Sequence, residues 1–407
     1  MEAEAESRTA AAGNGSIIID RLGELERSRS ALVFEQYRLI VDLLRTRVAE
    51  RIVTGVPQSR WEAGVAAEVA AALRVSVHRA AVMLSRARML ATDLPATNSR
   101  LRAGDLSPEA VDVIVGGVSH VEPAQRAQAD DALCGEAFAA GGLGLGRLLD
   151  RVRETAYRID PQATVDRIAQ AAKDRRVTIR PAPDCMARIS ILLPVAEGVG
   201  VYAALKARTD QVAGVAGEVR TRGQIMADTA YARITGREVA DGQPVTVNLT
   251  IPAPVLLGDQ PGVAHLRGGG VLPAEIARRL TGAAARMSVA WVRRLYVVPT
   301  SGAVVGMDSK SRLFPDGLAE VIAARDRYCR TPYCDAPIVH TDHVSAHSNG
   351  GPTSVENGQG LCAACNYAKE AAGWSSRTVT DPSGRHTVET RMPTGHVHRS
   401  TAPPTAV

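Results

Sequence analysis

Aromatic residues make up only 3% of this 407-residue chain, so its cores must be assembled mainly from alanine, valine and leucine. Lysine is scarce too: Lys173, Lys206, Lys310 and Lys369 are the only four among 48 basic residues. Such an arginine excess, with so much alanine, reflects the codon usage of a GC-rich bacterial genome and says nothing about function. No apolar run approaches the roughly 18–20 residues needed to cross a bilayer, so no membrane partner is expected. The opening MEAEAESRTAAAGNGS has neither the basic segment nor the apolar stretch of a secretion signal, and the expected location is cytoplasmic. In that reducing compartment clustered cysteines are read as metal ligands rather than disulfides. Cys134 and Cys185 stand alone and are expected to be buried core thiols.

What is present is an ordinary globular composition, 45% hydrophobic with a net charge of +5. The length calls for more than one domain. The expected class is α+β and multidomain: a mostly helical N-terminal region, a small mixed α/β middle region and a C-terminal metal-stapled module. Residues 1–28 lack periodicity and are expected to be disordered. Residues 29–160 read as helical: Val33, Tyr37, Ile40, Leu44 and Val48 recur at three- and four-residue steps. SRWE, from Ser59 to Glu62, reads as a capping box, and Ser107-Pro108 as a cap with proline at the first helical position. GGLGLGR (Gly141 to Arg147) has no strand before it, so it reads as a helix connection rather than a nucleotide loop.

Residues 161–312 read as a mixed continuation. It holds a hairpin (Val177 to Pro181, Met186 to Pro194), helices near Val201–Val212 and from Gly223, a strand at Val245–Gly258, a helix from Leu272 and two short strands in YVVPTSGAVVGM. Residues 313–374 form the metal-stapled module. Residues 375–407, rich in Pro, Thr, Ser and Arg, read as a disordered, solvated tail in which His386, His396 and His398 face water. Within the helical region, Glu68 to Arg88 has the rhythm of a helix-turn-helix whose Arg79, Arg86 and Arg88 would meet DNA. A plain helical hairpin gives the same pattern and is the simpler reading.

Cys329 and Cys334 form one close pair and Cys362 and Cys365 another. Both spacings suit zinc knuckles, and two knuckles complete a tetrahedron of thiolates around one Zn²⁺. Four thiolates leave no open position, so this zinc is expected to be structural. Between the pairs lie VHTDHVSAHSNGGPTSVEN, a turn at Gly350-Gly351-Pro352, and a helical composition after Cys362.

The order Cys pair, Asp-His, Gly-Gly, Asn, Cys-x-x-Cys-Asn-x-x-Lys from about Arg325 to Trp374 resembles an HNH (ββα-metal) endonuclease in its His-Asn-Asn variant. Upstream, MARISILLP, RTRGQIMAD and LFPDGLAEVIAARDRYCRTPYC resemble the actinobacterial proteins in which a helical DUF222 region precedes an HNH module, the 13E12 repeat family among them. The resemblance implies a metal-dependent DNA endonuclease with His343 as general base and Asp342 and Asn366 as oxygen ligands of a divalent cation. It also implies Asn357 as the brace of the loop carrying the base. Lys369, three residues after Asn366, shares that helix face and would contact a phosphate; His347 is a weaker candidate for the same role. Oxygen ligands without a final histidine favour Mg²⁺ or Mn²⁺. The alternative is a non-cleaving zinc-containing DNA-binding protein or regulator reading through residues 68–88.

Charge divides unevenly along this half of the chain. The module itself is slightly acidic, whereas Ala274 to Arg312 is strongly basic. Arg278, Arg279, Arg293 and Arg294 are therefore expected to bind DNA phosphates, together with Arg330 inside the module. The helical N-terminal region is the candidate for association between copies of the chain.

Overall fold

In the computed structural model, residues 2–135, 143–236, 249–257, 260–266, 270–286 and 313–404 are described, the side chains of 2–14 and 283–286 excepted. The N-terminal part is helical: α1 (Glu2–Val53), α2 (Val65–Leu73), α3 (Val77–Thr92), α4 (Pro95–Ala103), α5 (Pro108–Val118), α6 (Pro123–Cys134), α7 (Leu145–Ile159) and α8 (Pro161–Lys173). The expected stripe on α1 is the one that goes inside, with Tyr37, Ile40, Val41 and Leu44 buried. α1 packs on α3 and α4, and α5 on α7, around Leu84, Leu90, Leu101, Ile114, Leu133 and Val152. Two buried carboxylates lock these helices. Glu68 pairs with Arg47 across 2.8 Å, and Asp130 accepts the N–H groups of Ala96 and Thr97 at the open start of α4, where orphan donors need a partner.

Three expectations are corrected here. α1 continues without a break from Glu2, so residues 1–28 are not a separate disordered arm among the described residues. Its first half lacked a legible stripe because Ile17, Ile18, Ile19 and Leu22 all stay exposed. SRWE opens no helix: Gln58–Arg60 is a single 3₁₀ turn, and α2 starts only at Val65 after Gly64 at φ 80°. A Cβ on Gly64 would lie 2.7 Å from that of Ala371, so tertiary contact rather than capping sets the start. Cys185 is exposed rather than buried, in the positive-φ turn of the hairpin. Ser107 caps α5 as expected, accepting from Ala110 N.

The middle region begins with the antiparallel hairpin β1 (Arg176–Ala182) and β2 (Met186–Leu192), Val177 facing Ile191 and Ile179 facing Ile189. Helices α9 (Val195–Val212) and α10 (Arg222–Thr235) pack together, α10 opened by a Thr221–Gln224 capping box. Then come β3 (Leu249–Thr250), α11 (Ala253–Leu257), β4 (Val263–Leu266), β5 (Gly270–Pro273) and α12 (Ala274–Arg286), with sheet order β3-β4-β5. The strand expected over Val245–Gly258 is thus β3 followed by α11 where described. YVVPTSGAVVGM, Arg293 and Arg294 lie outside the described residues.

The C-terminal module comprises α13 (Asp316–Asp326), β6 (His340–His343), β7 (Gly358–Leu361) and α14 (Ala363–Lys369), followed by β8 (Ser375–Val379), β9 (Thr387–Arg391) and β10 (Val397–Thr401). The last three strands overturn the expected solvated tail: they form an antiparallel meander through Pro404. Its composition reads as polar because the strands are held by an ion ladder as well as by apolar burial. Glu389 stands opposite both Arg377 and Arg399 in register and bonds to each, the cross-strand arrangement that stabilises sheets. His386 is also not simply solvated, its Nε2 bonding to the Glu356 carbonyl at 2.8 Å.

One buried ion group joins α13, β7 and this meander. Asp326, 3% exposed, bonds to Arg325 at 2.7 Å and accepts from Gly360 N at 2.8 Å. Arg325 donates to the carbonyls of Val355 and Gly358, and Arg330 to those of His386 and Ser400. Removing the shared carboxylate leaves two buried guanidinium groups poorly paired. Asp326→Ala should therefore lose about 3–5 kcal/mol in urea unfolding; a loss below ~1 kcal/mol, the value of an exposed pair, would contradict this account.

Candidate active site

The β6–β7 pair is too short to be held by its ladder alone, and Asn357 supplies the brace. Its Oδ1 accepts from Ser345 N at 2.9 Å, and its Nδ2 donates to the carbonyls of Ser345 and Pro352 at 3.0 and 2.8 Å. The loop from Val344 to Asn357 is thereby tied back on itself. Gly351 is compelled by the same closure, since a Cβ there would lie 2.0 Å from the Ser345 carbonyl oxygen. Gly350 beside it takes φ +85°, where other residues are strained.

His343 ends β6 and is 6% exposed. Its ring packs at 4.6 Å from that of Phe314 and at 5.5 Å from that of His347. Nε2 lies 2.9 Å from Thr353 Oγ1, and Nδ1 lies 3.7 Å from Asp342 Oδ1. Burial pushes the imidazole pKa below its usual value; the nearby Asp342 charge opposes this, and His347 adds to it. A lowered pKa favours the neutral ring, the form able to accept a proton.

Asp342 is oriented on both oxygens. Oδ1 accepts from the His343 backbone N–H at 2.8 Å, and Oδ2 meets Lys369 Nζ at 2.9 Å. Burial alone would raise its pKa, but the Lys369 ammonium and the His343 N–H outweigh it and hold the carboxyl below its ordinary range. Lys369 also donates to the His343 carbonyl at 2.9 Å and lies 3.2 Å from Glu370. It thus clamps α14 over β6. The expected phosphate-contacting lysine is here engaged with the carboxylate itself.

Asn366, one turn earlier on α14, has its Oδ1 buried with no hydrogen-bond partner among the described residues. An orphaned amide oxygen of this kind is costly unless something occupies it. A hard divalent cation fits such an oxygen, together with a charged Asp342 carboxylate.

The four cysteines converge as their spacing predicts. All are buried, and their sulfurs lie within 4.8 Å of one another. Cys334 and Cys362 sulfurs are 3.8 Å apart, matching the ~3.8 Å edge of a tetrahedron with 2.3 Å zinc–sulfur bonds. Thiols this close together compete for protons. The Cys334 and Cys365 thiols, acting as donors, push Cys329 toward the thiolate, and that sulfur in turn pushes both of theirs up. A Zn²⁺ ion removes this competition. The cysteines also belong to the apolar core that contains α2 and α3.

Arg330 is corrected as a DNA contact. It is 5% exposed and commits its guanidinium to the meander. Arg279 is exposed on α12, while Arg278 donates to the Val255 carbonyl at 2.8 Å. The α2–α3 pair does turn as a helix-turn-helix, through Arg74 at φ 56° and a Ser76 cap. However, Arg86 pairs with Asp112 and Arg88 with Glu62. Ala67 and Val77 face Leu361, Cys365 and Trp374, so the start of α3, the end that would enter a groove, lies against the module. Sequence reasoning missed Thr353 and Phe314, which meet His343 from 10 and 29 positions away, and Asp326, which besides adjacent Arg325 binds Gly360 N from 34 positions away.

A family model described as a domain of unknown function (DUF222) matches residues 24–326, and one described as HNH endonuclease matches residues 327–372. The chain belongs to the DUF222 family and carries an HNH endonuclease domain. Searches of the curated proteins and of solved structures gave no match. The boundary between the two matches falls inside the Asp326 ion group, so this DUF222 protein and its HNH domain share buried electrostatics. An HNH domain implies nucleic-acid binding and divalent-metal use, and no described helix is long and apolar enough to cross a membrane.

The shared core makes the sulfur cluster a test of the whole chain. Elemental analysis should find one zinc per chain. The double variant Cys362→Ser, Cys365→Ser should lose it and melt well below wild type, α2 and α3 included. A Tm within about 2 °C of wild type, under ~1 kcal/mol for a domain this size, would contradict the assignment.

Proposed function

We propose that the protein is a metal-dependent DNA endonuclease that hydrolyses phosphodiester bonds. The observation that carries this reading is the orphaned Asn366 oxygen on the helix clamped over the Asp342–His343 pair. Zn²⁺ in the four cysteines is structural. Mg²⁺ or Mn²⁺ would be held by Asp342 and Asn366 and would supply positive charge at the scissile phosphate and the leaving oxygen.

His343 is the general base. The water oxygen bonds to phosphorus as the bond to the sugar oxygen breaks, and His343 takes the water's proton while solvent protonates the departing oxygen. Asn357 keeps the loop after His343 closed, so the imidazole does not swing away from the carboxylate. Lys369 holds α14 in register with β6 through Asp342 and the His343 carbonyl, and its ammonium is the cation on that helix that would meet a phosphate. Arg278, Arg279, Arg293 and Arg294 supply the attraction for the DNA backbone that the acidic module lacks. The helical region supports targeting or self-association, and the cytoplasm is the expected site of action.

Supercoiled-plasmid cleavage in Mg²⁺ and Mn²⁺ tests the reading. Wild type should nick or linearise the plasmid, and His343→Ala should be slower by about 10²–10⁴-fold with DNA affinity retained. Cleavage unchanged in His343→Ala contradicts the role of the base. Metal-independent DNA binding without cleavage in either protein favours the non-cleaving alternative.

A further inference from the structure

A general base works only if a ring nitrogen with a free lone pair faces the water, and a neutral imidazole offers one such nitrogen of two. Which one is free at His343 is decided by what the other touches. Nε2 is turned inward to Thr353 Oγ1 at 2.9 Å, and Thr353 is 2% exposed, so that side faces the protein interior rather than a bound substrate. Nδ1 is on the side of Asp342, 3.7 Å from Oδ1, beyond hydrogen-bond reach. The productive form must therefore carry its proton on Nε2.

We propose that Thr353 is the positioning residue of this centre: its hydroxyl accepts the Nε2–H of His343 and stabilises the tautomer in which the Nδ1 lone pair faces the Asp342 side. The proposal rests on the nuclease reading and names what that reading leaves open. A hydroxyl can rotate to donate or to accept, so Thr353 alone does not choose between the tautomers. The choice comes from the other side of the ring. An Nδ1–H pointing toward Asp342 is attracted while that carboxylate is bare or paired only with Lys369. A divalent cation held by Asp342 and Asn366 would repel that proton and favour it on Nε2. Thr353 is the group that can receive it there, and the imidazole plane stays held by Phe314 at 4.6 Å. The order Thr353, His343, Asp342 resembles a hydrolytic triad in outline, but the burial of the hydroxyl and the 3.7 Å gap rule out nucleophilic attack by Thr353.

The sequence carried no hint of this contact, because Thr353 follows the Gly-Gly turn and is ten positions from its partner. Loop closure creates it. Asn357 bonds to the Pro352 carbonyl at 2.8 Å, fixing the backbone immediately before Thr353, and Ser354 Oγ accepts from Asn357 N at 3.0 Å, fixing it immediately after. The asparagine brace and the threonine are thus successive parts of one device: the first closes the loop, and the second reads the ring.

Two-bond ¹H–¹⁵N correlation spectra of the full-length, zinc-loaded, histidine-labelled chain in Mg²⁺ test the idea without reference to cleavage, the His343 signal being assigned against His343→Gln. Wild type should show the Nε2–H tautomer. Thr353→Val, which keeps volume but removes the acceptor, should lose that signature and lower the nicking kcat by about 10–100-fold, as for other groups that orient a reacting imidazole, with DNA affinity unchanged. Thr353→Ser should restore both. An Nδ1–H tautomer in metal-loaded wild type, an unchanged spectrum in Thr353→Val, or a Thr353→Ser variant that behaves like Thr353→Val would overturn the proposal. If Thr353→Val does not fold, the wild-type and Thr353→Ser spectra still decide. Absence of cleavage in wild type would count against the nuclease reading alone, leaving the tautomer to be judged from the spectra.

Discussion

Four sulfurs held within 4.8 Å of one another impose the constraint on which the rest of the C-terminal half depends. Cys362 is the cap residue of α14 and Cys365 lies in its first turn, so a metal in the cluster fixes where that helix starts and which way it points. Asn366 is the next residue and Lys369 follows one turn later. The cluster thereby positions both side chains that α14 contributes to the proposed site. The other knuckle reaches the sheet directly: Arg330 N donates to the Gly360 carbonyl of β7 at 2.9 Å. A seven-residue helix is too short to be stable by itself, and a metal in the cysteine cluster would supply the anchoring its own hydrogen bonds cannot.

The same cluster explains why the helical and nuclease parts meet as one core rather than as beads on a linker. Ala67 and Val77 sit against Leu361, Cys365 and Trp374, and Gly64 lets the α2 start approach Ala371. Asp326, the last residue of the DUF222 match, bonds to the backbone of β7. The helix-turn-helix geometry of α2 and α3 is real, but in this chain it serves as a platform for the module. Any base-reading role would have to use what that contact leaves exposed.

How much of this was legible depends on distance along the chain. The cysteine cluster was readable because knuckles are local: two cysteines with four or two residues between them can face the same way. The ββα order was readable because Asp342-His343, Gly350-Gly351 and Cys362 to Asn366 are short motifs, and the Ser107 cap because its partner is three residues on. Burial of Arg330 was not, since the carbonyls it meets come from residues 56 and 70 positions later. The terminal meander was masked by its composition: Arg377, Glu389 and Arg399 read as solvated charges until register sets them opposite one another. Thr353 failed for the same reason, a contact made only once a loop has closed.

The proposed centre has two metal environments of opposite character, the soft sulfurs of the four cysteines and the hard oxygens of Asp342 and Asn366. Binding of Mn²⁺ to the zinc-loaded protein, followed by electron paramagnetic resonance, separates them without any cleavage step. The account predicts one Mn²⁺ per chain, weakened at least about tenfold, or ~1.4 kcal/mol, by Asp342→Ala and by Asn366→Ala, with zinc content unchanged in both. Mn²⁺ binding that ignores both substitutions, or that occurs only as zinc is displaced, would contradict it.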